Sequence, residues 1–106
     1  MRFVLFYSGV ESFNYFTDRI VEELGKRNHQ CFILDLNRSN QEGEHSFKAF
    51  TDFLAVRADA AIGFDGIGLK EDMFIELWDS MDTVALNILM DQPRQVGTDM
   101  IVDAVA

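Results

Sequence analysis

The chain has 106 residues, 48% of them hydrophobic and 25% charged, and this balance predicts one small globular domain rather than a disordered chain. Eighteen Asp and Glu against nine Lys and Arg give a formal net charge of -9, which argues against nucleic acid or an anionic membrane as a partner, because both require basic patches. The single cysteine excludes an intrachain disulfide, and no apolar run is long enough for a signal peptide or a membrane span, so we expect a cytoplasmic protein.

The predicted elements alternate between strand and helix along the chain. Apolar segments at residues 3–7, 31–34, 60–64 and 84–90 are typical of buried strands. Between them, apolar side chains recur at intervals of three and four residues, which predicts three amphipathic helices. The helical stripes are formed by Phe13, Phe16, Ile20, Val21 and Leu24, then by Phe47, Phe50, Phe53 and Leu54, and then by Phe74, Leu77, Trp78 and Met81.

The boundaries of the first helix carry their own signals. Ser8 stands three residues before Glu11, which is the spacing of a capping box, so we expect the Ser8 hydroxyl to cap this helix. Asn28 is suited to end it, because asparagine tolerates the left-handed backbone conformation. Residues 37–45 lack any periodicity and predict a long loop before the second helix.

This alternation predicts a single α/β domain over residues 1–106, with a three-layer, Rossmann-like or flavodoxin-like fold and a parallel sheet between helices. The first strand is continuously apolar, as a strand covered on both faces must be, so we place it centrally in the order 2-1-3-4; the order 3-2-1-4 stays open. The fourth strand is too apolar for an exposed edge. Its cover would be residues 96–106, a second copy of the chain, or further strands of a longer protein.

The candidate ligand-binding residues follow the carboxyl ends of the strands. In an open parallel sheet the ligand crevice lies at that edge, where the strand order reverses. Hydroxyl, carboxylate and amide groups there can bond a ligand, glycines allow the backbone to approach it closely, and an arginine can bind an anionic group. The candidates are Ser8 and Gly9 after strand 1, Asp65, Gly66 and Gly68 after strand 3, and Asp91, Gln92 and Arg94 after strand 4.

Other reactive residue types carry weaker signals. Asp35 ends strand 2, where dinucleotide-binding proteins place an acid, but the three-glycine fingerprint is missing after strand 1. His45 lies in the long loop on the crevice side, where a general-base role is conceivable. One cysteine and two distant histidines form no metal-ligand pattern. We therefore expect no metal, no cofactor and no catalytic residue in this chain alone.

Five segments together resemble a known family. They are Phe6-Tyr7-Ser8-Gly9, residues 23–29, Gly66-Ile67-Gly68-Leu69-Lys70, Leu77-Trp78-Asp79-Ser80 and residues 86–93. The chain up to about residue 93 is similar to the N-terminal domain of bacterial two-domain glycosyltransferases with the GT-B architecture, which are related to spore-coat maturation proteins. The resemblance implies a domain that holds the glycan acceptor and is inactive alone, because the nucleotide-sugar donor would lie largely on a C-terminal domain. Such domains are expected to show His between the Asp and the Pro, and Gln92 stands there instead.

Two alternatives belong to other classes of function. Phe6-Tyr7-Ser8-Gly9 before a helix also resembles the start of flavodoxin-like proteins, whose hydroxyl-rich first loop holds the phosphate of FMN, although Val10 and Glu11 depart from that pattern. The sequence also fits a non-catalytic α/β module that forms a homodimer through strand 4. The three hypotheses imply different partners: a glycan acceptor with a C-terminal donor domain, a flavin, or a second copy of the chain.

Overall fold

The structure, a computed structural model, describes residues 1–36 and 43–89. Over this part of the chain, strands and helices alternate as the sequence predicts. The elements are β1 (Arg2–Tyr7), α1 (Glu11–Lys26), β2 (Gln30–Asp35), α2 (Phe47–Phe53), β3 (Ala60–Phe64), α3 (Asp72–Ser80) and β4 (Val84–Ile88). The predicted α/β class is confirmed.

The four strands form one parallel sheet in the order β2-β1-β3-β4, which confirms the preferred order and rules out 3-2-1-4. β1 pairs with β2 on one side and with β3 on the other, so that Val4 lies opposite both Phe32 and Ala61. Residues 3–6 of β1 are at most 4% exposed. The continuous apolar run of this strand is explained by its central place, where helices cover both faces.

A separate hydrophobic core fills each face of the sheet. Because side chains alternate along a strand, β1 supplies Phe3 to one core and Val4 to the other. The first core includes Ile20 of α1, and the second is centred on the aromatic side chains of α2 and α3, with Phe50 and Trp78 both buried. One face is therefore covered by α1 and the other by α2 and α3, which gives the predicted three layers.

The start of α1 differs from the predicted capping box. Val10 is the N-cap residue and no side chain caps the helix. The Ser8 hydroxyl lies two positions too early for that role and accepts from the backbone N–H of Val10, at 3.2 Å, so it stabilises the turn before the helix. The end of α1 is as predicted, because Asn28 has a φ of 65° and the N–H of His29 donates to the carbonyl of Leu24 at 3.0 Å.

β4 forms an edge of the sheet that is largely exposed. Val84 is 57% exposed and Leu89, just after the strand, is 60% exposed, whereas Ile88 is buried in the core. The described part of the chain therefore leaves apolar surface at this edge, and residues 96–106, one of the predicted covers, lie outside it. Within residues 1–36 and 43–89, every helix is too short or too polar to cross a lipid bilayer.

Candidate functional site

The strand order reverses between β1 and β3, so the loops after these two strands are neighbours at the predicted crevice. Ser8 is buried in the first loop and Gly9 is exposed beside it. The Asn14 side chain of α1 holds this loop from both directions: Oδ1 accepts from the N–H of Ser8 at 2.8 Å, and Nδ2 donates to the Ser8 carbonyl at 2.9 Å. The backbone N–H and carbonyl of Ser8 are thus engaged by the chain itself.

The loop after β3 is also closed by its own hydrogen bonds. The N–H of Gly66 donates to Oδ1 of Asn87 in β4 at 2.8 Å, and the N–H of Gly68 donates to the Glu71 carboxylate at 3.0 Å. The carbonyl of Gly68 accepts from the indole N–H of Trp78 at 2.9 Å. Gly66 and Gly68 have φ values of 81° and 79°, which glycine adopts without a steric penalty. Both glycines therefore serve the turn.

Gly68 also has no room for a side chain. A methyl group at this position would lie 2.5 Å from ring carbons of Phe6, whose ring packs edge-to-face on Phe74 with centroids 5.6 Å apart. The space that a glycine could leave for a ligand is filled at Gly68 by the ring of Phe6. Asp65, with a φ of 49°, begins the turn, and its N–H donates to the carbonyl of Ile88 at 2.8 Å.

The predicted ligand-binding residues thus fall into two groups. One group lies on the two loops at the switch point, which is the place between β1 and β3 where the strand order reverses: Ser8, Gly9, Asp65, Gly66 and Gly68. The others, Asp91, Gln92 and Arg94, lie outside the described residues. The sheet brings the first group together, and its backbone groups hold the loops in shape.

A second set of polar side chains lies at the carboxyl ends of β1 and β2. The N–H of Leu36 donates to the carbonyl of Tyr7 at 2.9 Å, and the N–H of Asp35 donates to the carbonyl of His45 at 3.0 Å. The Tyr7 hydroxyl donates to Asp18 of α1, and the Tyr7 ring meets the His45 ring edge-to-face with centroids 5.1 Å apart. We call this set the carboxyl-edge cluster; it consists of Tyr7, Asp18, Asp35, Glu44 and His45.

The surroundings of Tyr7 are negative. Burial raises the pKa of the Tyr7 hydroxyl from 10.0 to about 12, together with the hydrogen bond to Asp18 and the charges of the three carboxylates in the cluster. The phenol therefore stays a neutral donor at physiological pH. An anionic ligand would be repelled by these carboxylates, whereas a hydroxyl group could donate hydrogen bonds to them.

His45 has one ring nitrogen directed at the backbone and the other towards Glu44. Its Nδ1 lies 3.0 Å from the carbonyl oxygen of Ile33. Because a carbonyl oxygen only accepts hydrogen bonds, Nδ1 carries the proton. In the neutral ring Nε2 is then an acceptor, and it lies 3.6 Å from a carboxylate oxygen of Glu44. The His45 side chain is 32% exposed, so a ligand at this edge can reach it.

The sequence indicates His45 and Asp35 separately but does not connect them with Tyr7 or Asp18. One signal of the cluster is present in the sequence, because Tyr7 and Asp35 each end a predicted strand and adjacent parallel strands end at the same edge. The contact with Asp18 depends on how α1 packs on the sheet, which no local pattern encodes. Within the described residues, no three His, Cys, Asp or Glu side chains are placed to hold a metal ion together.

The chain matches no protein-family model, and comparisons with curated proteins and with solved structures found no similar protein. The interpretation of the site therefore depends on its hydrogen bonds, charges and burial. At the switch point these groups support the loops, and in the carboxyl-edge cluster they favour a neutral ligand that donates hydrogen bonds.

The surroundings of Gly68 and Gly25 predict different effects on stability when each glycine is replaced by alanine. Gly68→Ala should lower the free energy of unfolding by about 2–4 kcal/mol, because the methyl group meets the Phe6 ring and the backbone has a positive φ. Gly25→Ala in α1 is the control, since nothing lies within 4 Å of its added methyl group, and it should leave stability unchanged or raise it by up to about 1 kcal/mol. Urea unfolding measures both; equal effects would show that Gly68 is not packed as described.

The raised pKa of Tyr7 predicts that the folded protein loses stability at alkaline pH. Since the folded pKa lies above the ordinary value, the stabilisation is fully present below pH 10 and is lost as pH rises towards 12. Absorbance titration of tyrosinate, with Tyr7→Phe as the reference, should place Tyr7 ionisation near pH 12. Asp18→Asn should move that ionisation to lower pH. A Tyr7 titration near 10 in protein that circular dichroism shows to be folded would contradict the burial of the hydroxyl and its hydrogen bond to Asp18.

Proposed function

We propose that this chain is the acceptor-side domain of a two-domain glycosyltransferase, and that it binds a neutral, hydroxyl-rich acceptor at the carboxyl-edge cluster. A further domain supplies the donor site, so the chain alone does not transfer sugar. The observation that carries the proposal is the composition of the cluster. Three carboxylates surround the Tyr7 hydroxyl, the Nε2 atom of a neutral His45 can accept a hydrogen bond, and the five residues of the cluster include no Lys or Arg.

The chemistry of a sugar acceptor fits this composition. Sugar hydroxyls donate hydrogen bonds, and an ionised carboxylate offers two oxygens that accept them. Glu44 is 88% exposed and can turn to meet a ligand, whereas Tyr7 and His45 are held by contacts with the chain. The same negative charge disfavours the diphosphate of a nucleotide sugar, which supports a donor site on another domain.

The exposed edge of β4 can pair with a further strand. A strand added to this edge would pair its backbone groups and cover Val84 and Leu89. That strand belongs to residues 96–106, to a further part of a two-domain protein or to a second copy of the chain. A homodimerising, non-catalytic module is therefore the second candidate function, and the apolar edge is the observation that favours it.

The flavin-binding alternative receives less support from the loop after β1. The N–H of Ser8 donates to Asn14 and the N–H of Val10 donates to the Ser8 hydroxyl, so two of the backbone donors in this loop are already bonded within the chain. Glu11 adds a negative charge to the first turn of α1, where a phosphate would otherwise benefit from the helix dipole.

A saccharide titration tests the proposed function. With ¹⁵N-labelled protein, neutral saccharides should shift the amide signals of Tyr7, Asp35 and His45, and sugar phosphates should bind more weakly. Glu44→Gln should weaken saccharide binding roughly tenfold, because a hydrogen bond to a charged group contributes about 1.5–3 kcal/mol. The matched control is Glu22→Gln, an exposed acid on α1 outside the cluster, which should bind as the unmodified protein does.

Three results would contradict the proposal. Saccharides could leave all signals unmoved, they could shift only Gly66 and Gly68, or the Glu44 and Glu22 variants could lose affinity equally. If FMN shifted the amide signals of Ser8 and Gly9, the flavin-binding hypothesis would be favoured instead.

Sedimentation of the same samples tests the second candidate function. A homodimer through β4 has twice the monomer mass, and a Val84→Lys variant of it should sediment as a monomer.

A further inference from the structure

A groove between α2 and α3, on the face of the sheet opposite α1, is not used by the carboxyl-edge cluster. It has a volume of about 450 Å³. Its lining consists of Phe47, Phe50, Thr51 and Leu54 from α2 and the residue after it, and of Met73, Glu76, Leu77 and Ser80 from α3. Most of these side chains are apolar, and the spacing of three and four residues on each helix places them on facing sides of the two helices.

The groove has a firm floor and exposed apolar walls. Phe50 is 1% exposed and packs against Trp78 with ring centroids 6.1 Å apart, so the floor belongs to the core. Phe47 is 45% exposed and Met73 is 55% exposed, one on each wall. Large apolar side chains exposed together along a concave surface are typical of a binding site.

The length of the groove suits a short helical segment. α2 has seven residues and α3 has nine, which correspond to roughly 10 and 14 Å at 1.5 Å per residue. About two turns of a third helix match that length, with apolar anchors at positions i, i+3 or i+4, and i+7.

The charge along α3 indicates the chemistry of the partner. Asp72, Glu76 and Asp79 are exposed and stand at positions i, i+4 and i+7, so they form one row beside the groove. On α2 the exposed cation is Lys48, with the acid Asp52 four residues later. Arg57, beyond α2, is engaged at the end of α3, where it donates to the carbonyls of Met81 and Asp82 at 2.6 Å. The rim of the groove is therefore acidic on its α3 side.

From the apolar groove and its acidic rim, we propose that this surface binds a cationic amphipathic helix of a partner protein. Apolar side chains of that helix fill the space between Phe47 and Met73, and its Lys or Arg side chains pair with the row on α3. A second copy of this chain fits poorly, because each copy carries a net charge of -9. Residues 90–106 also lack the required charge, with one Arg against three Asp, and an anionic membrane would be repelled.

The test uses the whole chain and three synthetic peptides of about three to four helical turns. The first has Leu on one face and Lys on the other, the second replaces Lys by Glu, and the third has the composition of the first in an order without an apolar face. Fluorescence anisotropy and amide shifts of the ¹⁵N-labelled protein report binding. The Leu/Lys peptide should bind and shift the groove residues, and the other two peptides should not.

Two pairs of variants locate the contact. Met73→Ser should weaken binding of the Leu/Lys peptide about tenfold, because it removes a large apolar contact. Ile75→Ser is the matched control, since Ile75 is 48% exposed on the same helix but does not line the groove. Glu76→Gln should weaken binding and Glu22→Gln, on α1, should not.

Several outcomes would overturn the proposal. The Glu peptide could bind as well as the Lys peptide, or Met73→Ser and Ile75→Ser could have equal effects. Removal of residues 90–106 could shift the groove signals, which would make the chain its own occupant. A dimer that Met73→Ser dissociates would identify a second copy as the occupant, and phosphatidylcholine vesicles that displace the peptide would identify a lipid surface.

Discussion

The rest of the structure depends on β1 being hydrogen-bonded along both of its edges. It pairs with β2 over its full length and with β3 on its other side, and its four central residues are buried. In a parallel sheet this arrangement fixes where the strands end, so the segments that follow β1, β2 and β3 meet at a single edge. The switch point and the carboxyl-edge cluster both follow from that constraint, one on each side of β1.

The two sides of this edge differ in how their polar groups are used. Beside β3, the amides of Gly66 and Gly68 are bonded to Asn87 and Glu71, and the glycines make room for the turn and for Phe6. Beside β2, the backbone N–H groups of Asp35 and Leu36 donate to the carbonyls of His45 and Tyr7, and the Tyr7 side chain contacts Asp18 and His45. Buried backbone N–H and C=O groups are nearly always hydrogen-bonded. A glycine-rich loop that pairs these groups within itself has few backbone donors left for a ligand.

Much of the fold could be predicted from the sequence because its signals are local. The apolar run of β1 indicated a central strand, and Asn28 ended α1 as its left-handed conformation predicts. The capping role of Ser8 was wrong, because the spacing to Glu11 does not show where helical geometry begins. Contacts between distant residues were beyond local patterns: the ring of Phe6 against Gly68 and the hydroxyl of Tyr7 on Asp18 arise from helix and loop packing on the sheet.

The central claim is that the cluster offers hydrogen-bond acceptors because its own side-chain donors are already bonded, the Tyr7 hydroxyl to Asp18 and the Nδ1 atom of His45 to the carbonyl of Ile33. The protonation of His45 tests this most directly, through the ¹⁵N chemical shifts of its ring in the neutral state, assigned by comparison with His45→Asn. We predict a proton on Nδ1, bonded to the carbonyl of Ile33, and an unprotonated Nε2. A neutral ring that carries its proton on Nε2, or that exchanges freely between both forms, would contradict the account.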